Sequence, residues 1–250
     1  MENGLYSLHS AFASAANFIA DDGAFLSLVS AEKGGGPFNI CLSGCAFASV
    51  RFVEVHLPRL IVDGLELELD SVPAYDSSVA AFRHPRIGSG ELAVLEKAYL
   101  KSATSLSMAF VLDSSRLRHF ISGFERGFAE RALNGCASFS ARDYALAART
   151  LNGTGFGFTP SGDDFIAGLL LATHFSSAGA QVREIIAAEK PGSNPVSAAA
   201  CRAACGGCAS APVKQLLREL QVCGTSRGLA EVLKIGSTSG ADLLAGFIFA

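Results

Sequence analysis

The chain has little charge and almost no imbalance of sign: 17% of its 250 residues are charged, and the net charge is −3. Such a balance argues against nucleic acid as the main partner. Long apolar runs are missing as well. The longest, residues 166–173, is far too short to cross a bilayer, so no membrane partner is expected. No basic stretch followed by an apolar core opens the chain, so no secretory signal is evident and a cytoplasmic protein is expected.

Several chemical signatures are absent too. His9, His56, His84, His119 and His174 show no ligand spacing, which disfavours a catalytic zinc site. The one glycine-rich loop ahead of a helix pattern carries no Walker lysine, and no G-x-S-x-G elbow occurs. A dinucleotide site is a poor fit because the G-x-G-x-G stretch follows a helix pattern and not a strand. Seven cysteines is an odd number, in a chain too core-rich to depend on a disulfide framework. Cys201, Cys205 and Cys208 have the C-x3-C-x2-C spacing of radical enzymes that use S-adenosylmethionine. They lie in an Ala-rich helix pattern with little chain left to build a barrel, so reduced, metal-free packing thiols are expected.

What is present is a repeated junction. Residues 153–168 read GTGFGFTPSGDDFIAG, and residues 236–246 read GSTSGADLLAG. Aligning Ser161 with Ser239 also pairs Gly162 with Gly240, Asp164 with Asp242, Ala167 with Ala245 and Gly168 with Gly246. Each copy has the form of a helix start, with Ser161 or Ser239 as N-cap and Asp164 or Asp242 reaching back. A cap needs neither the glycines 153, 155 and 157 nor a second carboxylate at Asp163. Glycines let backbone N–H groups approach a ligand, and a helix N-terminus offers donors to an anion. The first copy therefore reads either as a pair of structural caps or as an anion or phosphate pocket with the hydroxyls of Thr159 and Ser161.

Asp163 is the candidate chemical residue, because its counterpart is Ala241. Adjacent helical residues point about 100° apart, so Asp164 can serve the cap while Asp163 faces the pocket. It would act as a general base or hold Mg²⁺ through water; the alternative is a surface first-turn Asp. The cofactor otherwise stays unknown. Arg51, Arg83, His84 and Arg86 are candidate cations for a substrate anion.

The first part reads as β structure at 23–30, 38–42, 49–57 and a hairpin over 59–69 with a type I′ signal at Asp63-Gly64. Leu65, Leu67 and Leu69 alternate with Glu66 and Glu68, which leaves one face wet. Residues 5–19 fit strand or helix, and 32–37 (EKGGGP) reads as a mobile hairpin tip or a flap over ligand. Helices are predicted at 91–102, 140–151 with a Ser140-x-x-Asp143 cap, 181–189, 195–205, 211–221 and 226–234. A further helix starts near 113–115 and carries Leu117, Phe120, Ile121, Phe124, Phe128 and Ala132 as a core stripe. Gly123 and Gly127 on it suggest close approach of another backbone. The fold class is α+β: a β-rich domain, 1–75, packed tightly on a larger α-helical domain, 76–250, that carries both S-G-x-D starts.

GFGFTPSGDDFIAG, the closing IGSTSGADLLAG, and the N-terminal pattern Asn17-Phe18, Gly23, Leu26-Ser27-Leu28-Val29, Gly36-Pro37 and Ile40 resemble the AllH family. The family is named for a subunit associated with oxamate carbamoyltransferase in anaerobic allantoin breakdown. The resemblance implies pocket residues Gly155, Gly157, Thr159, Ser161, Gly162, Asp163, Asp164, Ser239, Gly240 and Asp242. It also implies a small anionic substrate of the phosphate or carbamoyl phosphate class, and partner protein subunits. The expected function is thus a carbamoyltransferase subunit with an anion pocket at two helix N-termini. The alternative is a non-catalytic subunit or a small-anion-binding protein.

Overall fold

The computed structural model describes residues 2–82 and 87–250. Arg83, His84 and Arg86 lie outside the described residues. The chain divides into two compact units, Met1–Ser77 and Ser78–Ala250. The fold is α+β, with a seven-stranded sheet followed by a helical region.

The first unit is built from β1 (Gly4–Phe12), β2 (Ala15–Ala20), β3 (Phe25–Ser30), β4 (Asn39–Leu42), β5 (Phe52–His56), β6 (Arg59–Val62) and β7 (Leu65–Glu68), in the spatial order β4-β3-β2-β1-β5-β6-β7. The ambiguous segment 5–19 is an antiparallel pair with a register irregularity between Leu8 and Ser10. Tyr6, Phe18, Leu26, Leu28, Val53, Val55 and Leu60 form its core. Asp63 and Gly64 both take positive φ, 47° and 86°, as a type I′ turn requires. The Asp63 carboxylate also accepts the Arg51 and Phe52 amides. The hairpin tip expected at 32–37 is instead part of a crossover, because β3 and β4 pair in parallel. On β7, Leu67 is half-buried while Leu65 is exposed, so the alternation expected there covers only part of the strand. Arg51 turns its guanidinium to the Ala48 and Val50 carbonyls.

The second unit contains α1 (Ser89–Ser102), α2 (Gly123–Ser140), α3 (Tyr144–Leu151), α4 (Ser161–Ala172), α5 (Gly179–Ala188), α6 (Pro195–Cys205), α7 (Ala211–Cys223), α8 (Leu229–Leu233) and α9 (Ser239–Phe249). Among the described residues, no helix is long and apolar enough to cross a membrane. The stripe expected from Leu117 to Ala132 is broken. A 3-10 helix, Ser114–His119, precedes α2, which starts with a capping box: Ser122 Oγ accepts the Glu125 amide, and Glu125 accepts the Ser122 amide. The break turns Ile121 and Phe124 outward, at 74% and 66% exposure, while Phe120, Phe128 and Ala132 stay buried. Among the described residues, nothing lies near the missing Cβ positions of Gly123 and Gly127, so the close backbone approach expected there is not seen. The cap expected from Ser140 comes from Asp143 alone, whose carboxylate accepts the Leu146 amide at the start of α3.

α4 and α9 form the centre of this unit. Every residue of α4 from Ser161 to Leu171 is buried. A Cβ on Gly168 would overlap the Leu243 carbonyl, and one on Gly246 would overlap the Phe165 carbonyl. The two relations are reciprocal under the sequence echo, so the helices cross backbone to backbone with each glycine seating the other helix. Gly162 and Gly240 do the same one level out, against the Leu151 and Val232 carbonyls. Four of the repeated residues are therefore fixed by helix packing.

Candidate functional site

The site begins at the loop between α3 and α4. Gly153, Gly155 and Gly157 all adopt positive φ, 68°, 110° and 87°, which side chains with a Cβ rarely take. The loop brings Thr154 O onto the Gly162 amide at 2.7 Å, while Pro160 O accepts the amides of Asp163 and Asp164 at 2.9 and 3.2 Å. At the other junction, Gly240 N donates to Ile235 O and Asp242 N to Thr238 O. The expected side-chain caps are not formed: the residues flanking the two helices are Pro160 and Thr238, without a side-chain cap bond. Ser161 and Ser239 lie inside the first turns.

The two helix starts do converge. Thr159 Oγ1 and Ser239 Oγ are 2.8 Å apart, and Thr159 Oγ1 donates to Asp164 Oδ2 at 3.0 Å. Burial raises the Asp164 carboxyl to about 7. The Ser239 hydroxyl opposes that rise, Asp242 adds to it, the Thr159 hydroxyl opposes it and Asp163 adds to it, in that order. Asp242, fully buried on α9, accepts the Met108 amide at Oδ1, 2.6 Å away. Burial raises it to about 7 against the Met108 amide and the nearby Ser161 and Thr238 hydroxyls. Those hydroxyls are close enough to act on the charge, yet neither Ser161 Oγ nor Asp242 Oδ2 completes a hydrogen bond in distance and angle. Tyr99, whose hydroxyl donates to Ala241 O, has its pKa raised by burial and then by Asp242.

Asp163 stands apart from this pair. Its Oδ1 accepts the Gly153 amide at 2.7 Å, and its Oδ2 accepts both the Ser193 amide at 2.9 Å and the Ser193 hydroxyl at 2.6 Å. Both oxygens thus tie the glycine loop to the loop before α6. These bonds give Asp163 a positioning part beside the base or Mg²⁺-holding part expected from the sequence. Among the described residues, no group of three or more His, Cys, Asp or Glu is arranged to hold a metal ion.

Chemically, the arrangement holds protons better than anions. The first-turn amides named above already serve carbonyls of the chain, and no cationic side chain is among the groups bonding to or shifting Asp164 and Asp242 in the described residues. Two carboxyls near neutrality remain, with Thr159 and Ser239 half-buried beside Asp164 and Gly157 exposed on the loop. Of the expected Gly155, Gly157, Thr159, Ser161, Gly162, Asp163, Asp164, Ser239, Gly240 and Asp242, the structure joins Thr159, Asp164 and Ser239 by hydrogen bonds and sets Asp242 and Ser161 near one another. Gly162 and Gly240 pack on the Leu151 and Val232 carbonyls, while Asp163 turns to Gly153 and Ser193. Sequence reasoning missed Ser193, Met108 and Tyr99, which reach the site from distant segments through two backbone amides and two hydroxyls and leave no local pattern.

Residues 151–250 match the AllH family, described as oxamate carbamoyltransferase subunit AllH. The match contains the glycine loop, α4, Ser193 and α9. The matched segment begins at Leu151, whose carbonyl lies against Gly162. Met108 and Tyr99 lie outside it, as does the N-terminal pattern of the sheet. No curated protein and no solved structure matches the chain.

Proposed function

We propose that the chain is a subunit of a carbamoyltransferase of the oxamate type, working with partner subunits on carbamoyl phosphate or its products. The observation that carries this reading is the coincidence of the AllH match with the convergent α4 and α9 starts. When a carbamoyl group moves from oxalurate to phosphate, the phosphate oxygen forms a bond to the carbamoyl carbon, the carbon–nitrogen bond breaks, and the departing amide nitrogen takes a proton. A carboxyl with a pKa near 7 suits that transfer at neutral pH. Asp164 would be the proton carrier, with Thr159 and Ser239 relaying toward the exposed glycine loop. Asp163 would hold the loop in register. Asp242, once it has lost its own proton, would raise Asp164 further. The anion would be received on the loop side by the Thr159 and Ser239 hydroxyls and by a partner surface, since the first-turn amides are turned to the chain's own carbonyls.

The second reading, a non-catalytic subunit, is favoured by the engagement of Asp163 and of those amides within the chain. One experiment separates the two. Carbamoyl transfer is measured with the chain alone and with its encoded partners, in wild type and in Asp164→Asn. The proposal expects activity only in the assembly and a loss of about 10²-fold or more in Asp164→Asn, the range for general acid-base groups. Wild-type turnover in the assembled Asp164→Asn protein overturns the catalytic role and leaves the non-catalytic reading.

A further inference from the structure

Asn194 makes none of the bonds described above, yet its side chain serves two segments at once. It stands ahead of α6, and its Oδ1 accepts the amides of Val196 and Ser197 at 3.0 Å each. That is an ordinary helix cap. The other end of the same side chain is turned to the glycine loop, where Nδ2 donates to Phe158 O at 2.9 Å. An Asp or Ser would cap α6 equally well, so the cap alone does not call for an NH₂ group.

The glycine loop is held unevenly along its length. In its first half, Gly153 N donates to Asp163 Oδ1, and a Cβ on Gly155 would stand 2.9 Å from both the Phe128 ring and Ser161 Cβ. The Phe156 ring packs edge-on against Phe124 and Phe128, with centroids 5.2 and 5.1 Å away. The second half is more open. Gly157 is exposed at φ 87°, the atom nearest its missing Cβ is Thr159 O at 3.6 Å, and Phe158 is 42% exposed. The Asn194 bond lands here, on the peptide unit that joins Phe158 to Thr159. Because that unit is planar, fixing its carbonyl also fixes the direction in which the chain enters Thr159. Pro160 restricts Thr159 from the other side to extended conformations. The Thr159 hydroxyl is thereby carried to Asp164 Oδ2 at 3.0 Å and to Ser239 Oγ at 2.8 Å.

We propose that Asn194 is a positioning residue of this site: by clasping the Phe158 carbonyl it sets the Thr159 hydroxyl on Asp164, and by capping α6 with the same side chain it ties that placement to the helix. Without the clasp, residues 157–159 swing about Gly157 while α4, α6 and the first half of the loop stay in place. Thr159 then leaves Asp164. The clasp rests on geometry alone, and its use in moving a proton rests on the carbamoyltransferase reading above.

Asn194→Ser keeps a capping oxygen and removes the donor, and two NMR readouts on the full chain test it. The first is the titration of the Asp164 carboxyl. Burial raises that group; of the side chains facing it, the Ser239 and Thr159 hydroxyls hold it down, while Asp242 on α9 and Asp163 on α4 add to the rise. Thr159→Val should therefore raise the Asp164 pKa in the wild-type background. In the Asn194→Ser background the same change should have about a third of that effect or less, since the hydroxyl has already left. The second readout is backbone order. The amides of residues 157–159 should fall from order parameters of about 0.85 to about 0.6 or lower in Asn194→Ser, while those of residues 196–205 hold their wild-type values. Both readouts use the chain alone, so they decide the clasp whether or not the assembly transfers carbamoyl groups. An effect of Thr159→Val that is absent in the wild type, or equal in the two backgrounds, overturns the proposal. So does a loop that stays ordered in Asn194→Ser, or an α6 that loosens with it.

Discussion

The two S-G-x-D junctions are a natural experiment within one chain. Both place glycine on a carbonyl of the preceding helix, Gly162 on Leu151 and Gly240 on Val232, and both cross the partner helix at a second glycine, Gly168 and Gly246. They differ in what surrounds that frame. The α4 copy has the loop with glycines 153, 155 and 157, the Thr159 hydroxyl and the tied carboxylate of Asp163. The α9 copy has Ala241 at the corresponding place and an Asp242 held by the Met108 amide. The glycines shared by both copies serve helix packing, and residues found only in the first shape the loop ahead of α4. Asp164 and Asp242 are shared too, and they face each other's helix start.

Exchanging the difference should have the largest effect. Ala241→Asp puts an unpartnered carboxylate into a buried first turn, and Asp163→Ala strands the donors on Gly153 and Ser193. Each should cost about 3–5 kcal/mol in urea unfolding. A near-neutral Ala241→Asp would mean the copies are interchangeable. Gly168→Ala or Gly246→Ala drives a methyl into a carbonyl of the facing helix and should cost about 2–3 kcal/mol by the same assay. A smaller loss at one glycine than at the other would show that the crossing is less reciprocal than its geometry. Gly127→Ala is the contrasting case, since it lies in open space on α2, and it should raise stability by about 0.8–1 kcal/mol through helix propensity. Destabilisation there would reveal a partner seated on that face.

Much of this arrangement was legible in the sequence. The echo located the crossing, and the Asp63-Gly64 pair located its hairpin. The helices over 195–205 and 211–221 were visible from periodicity and flanking residues. What escaped had physical causes. Ser161 and Ser239 carry the residue type of a cap, but backbone carbonyls took several of the first-turn amides, so the hydroxyls were free to face the opposite helix. The anchors of Asp163 went unread because Gly153 and Ser193 lie on separate loops, and loop-to-loop bonds have no period. The Phe stripe was carried too far. A capping box at Ser122 and Glu125 was written in the sequence, but the apolar spacing across Phe120, Ile121 and Phe124 suited one continuous helix equally well.

The central claim is that Asp164 and Asp242 are buried carboxyls held near neutrality at the crossing of α4 and α9. In the unfolded chain both would lose their protons near the ordinary aspartate value of about 3.9. The folded chain keeps them until about pH 7, so it binds more protons over the interval between, and stability falls as pH rises through it. Asp113 and Glu125, which are pulled below their usual range by hydrogen bonds, act in the opposite sense only at more acid pH. Unfolding free energy from pH 5 to pH 8 should therefore decline in the wild type and level off above pH 7. The Asp164→Asn, Asp242→Asn double variant should be nearly flat over the same range. A wild-type protein that gains stability from pH 5 to pH 8, or a double variant that keeps the wild-type slope, would contradict the account.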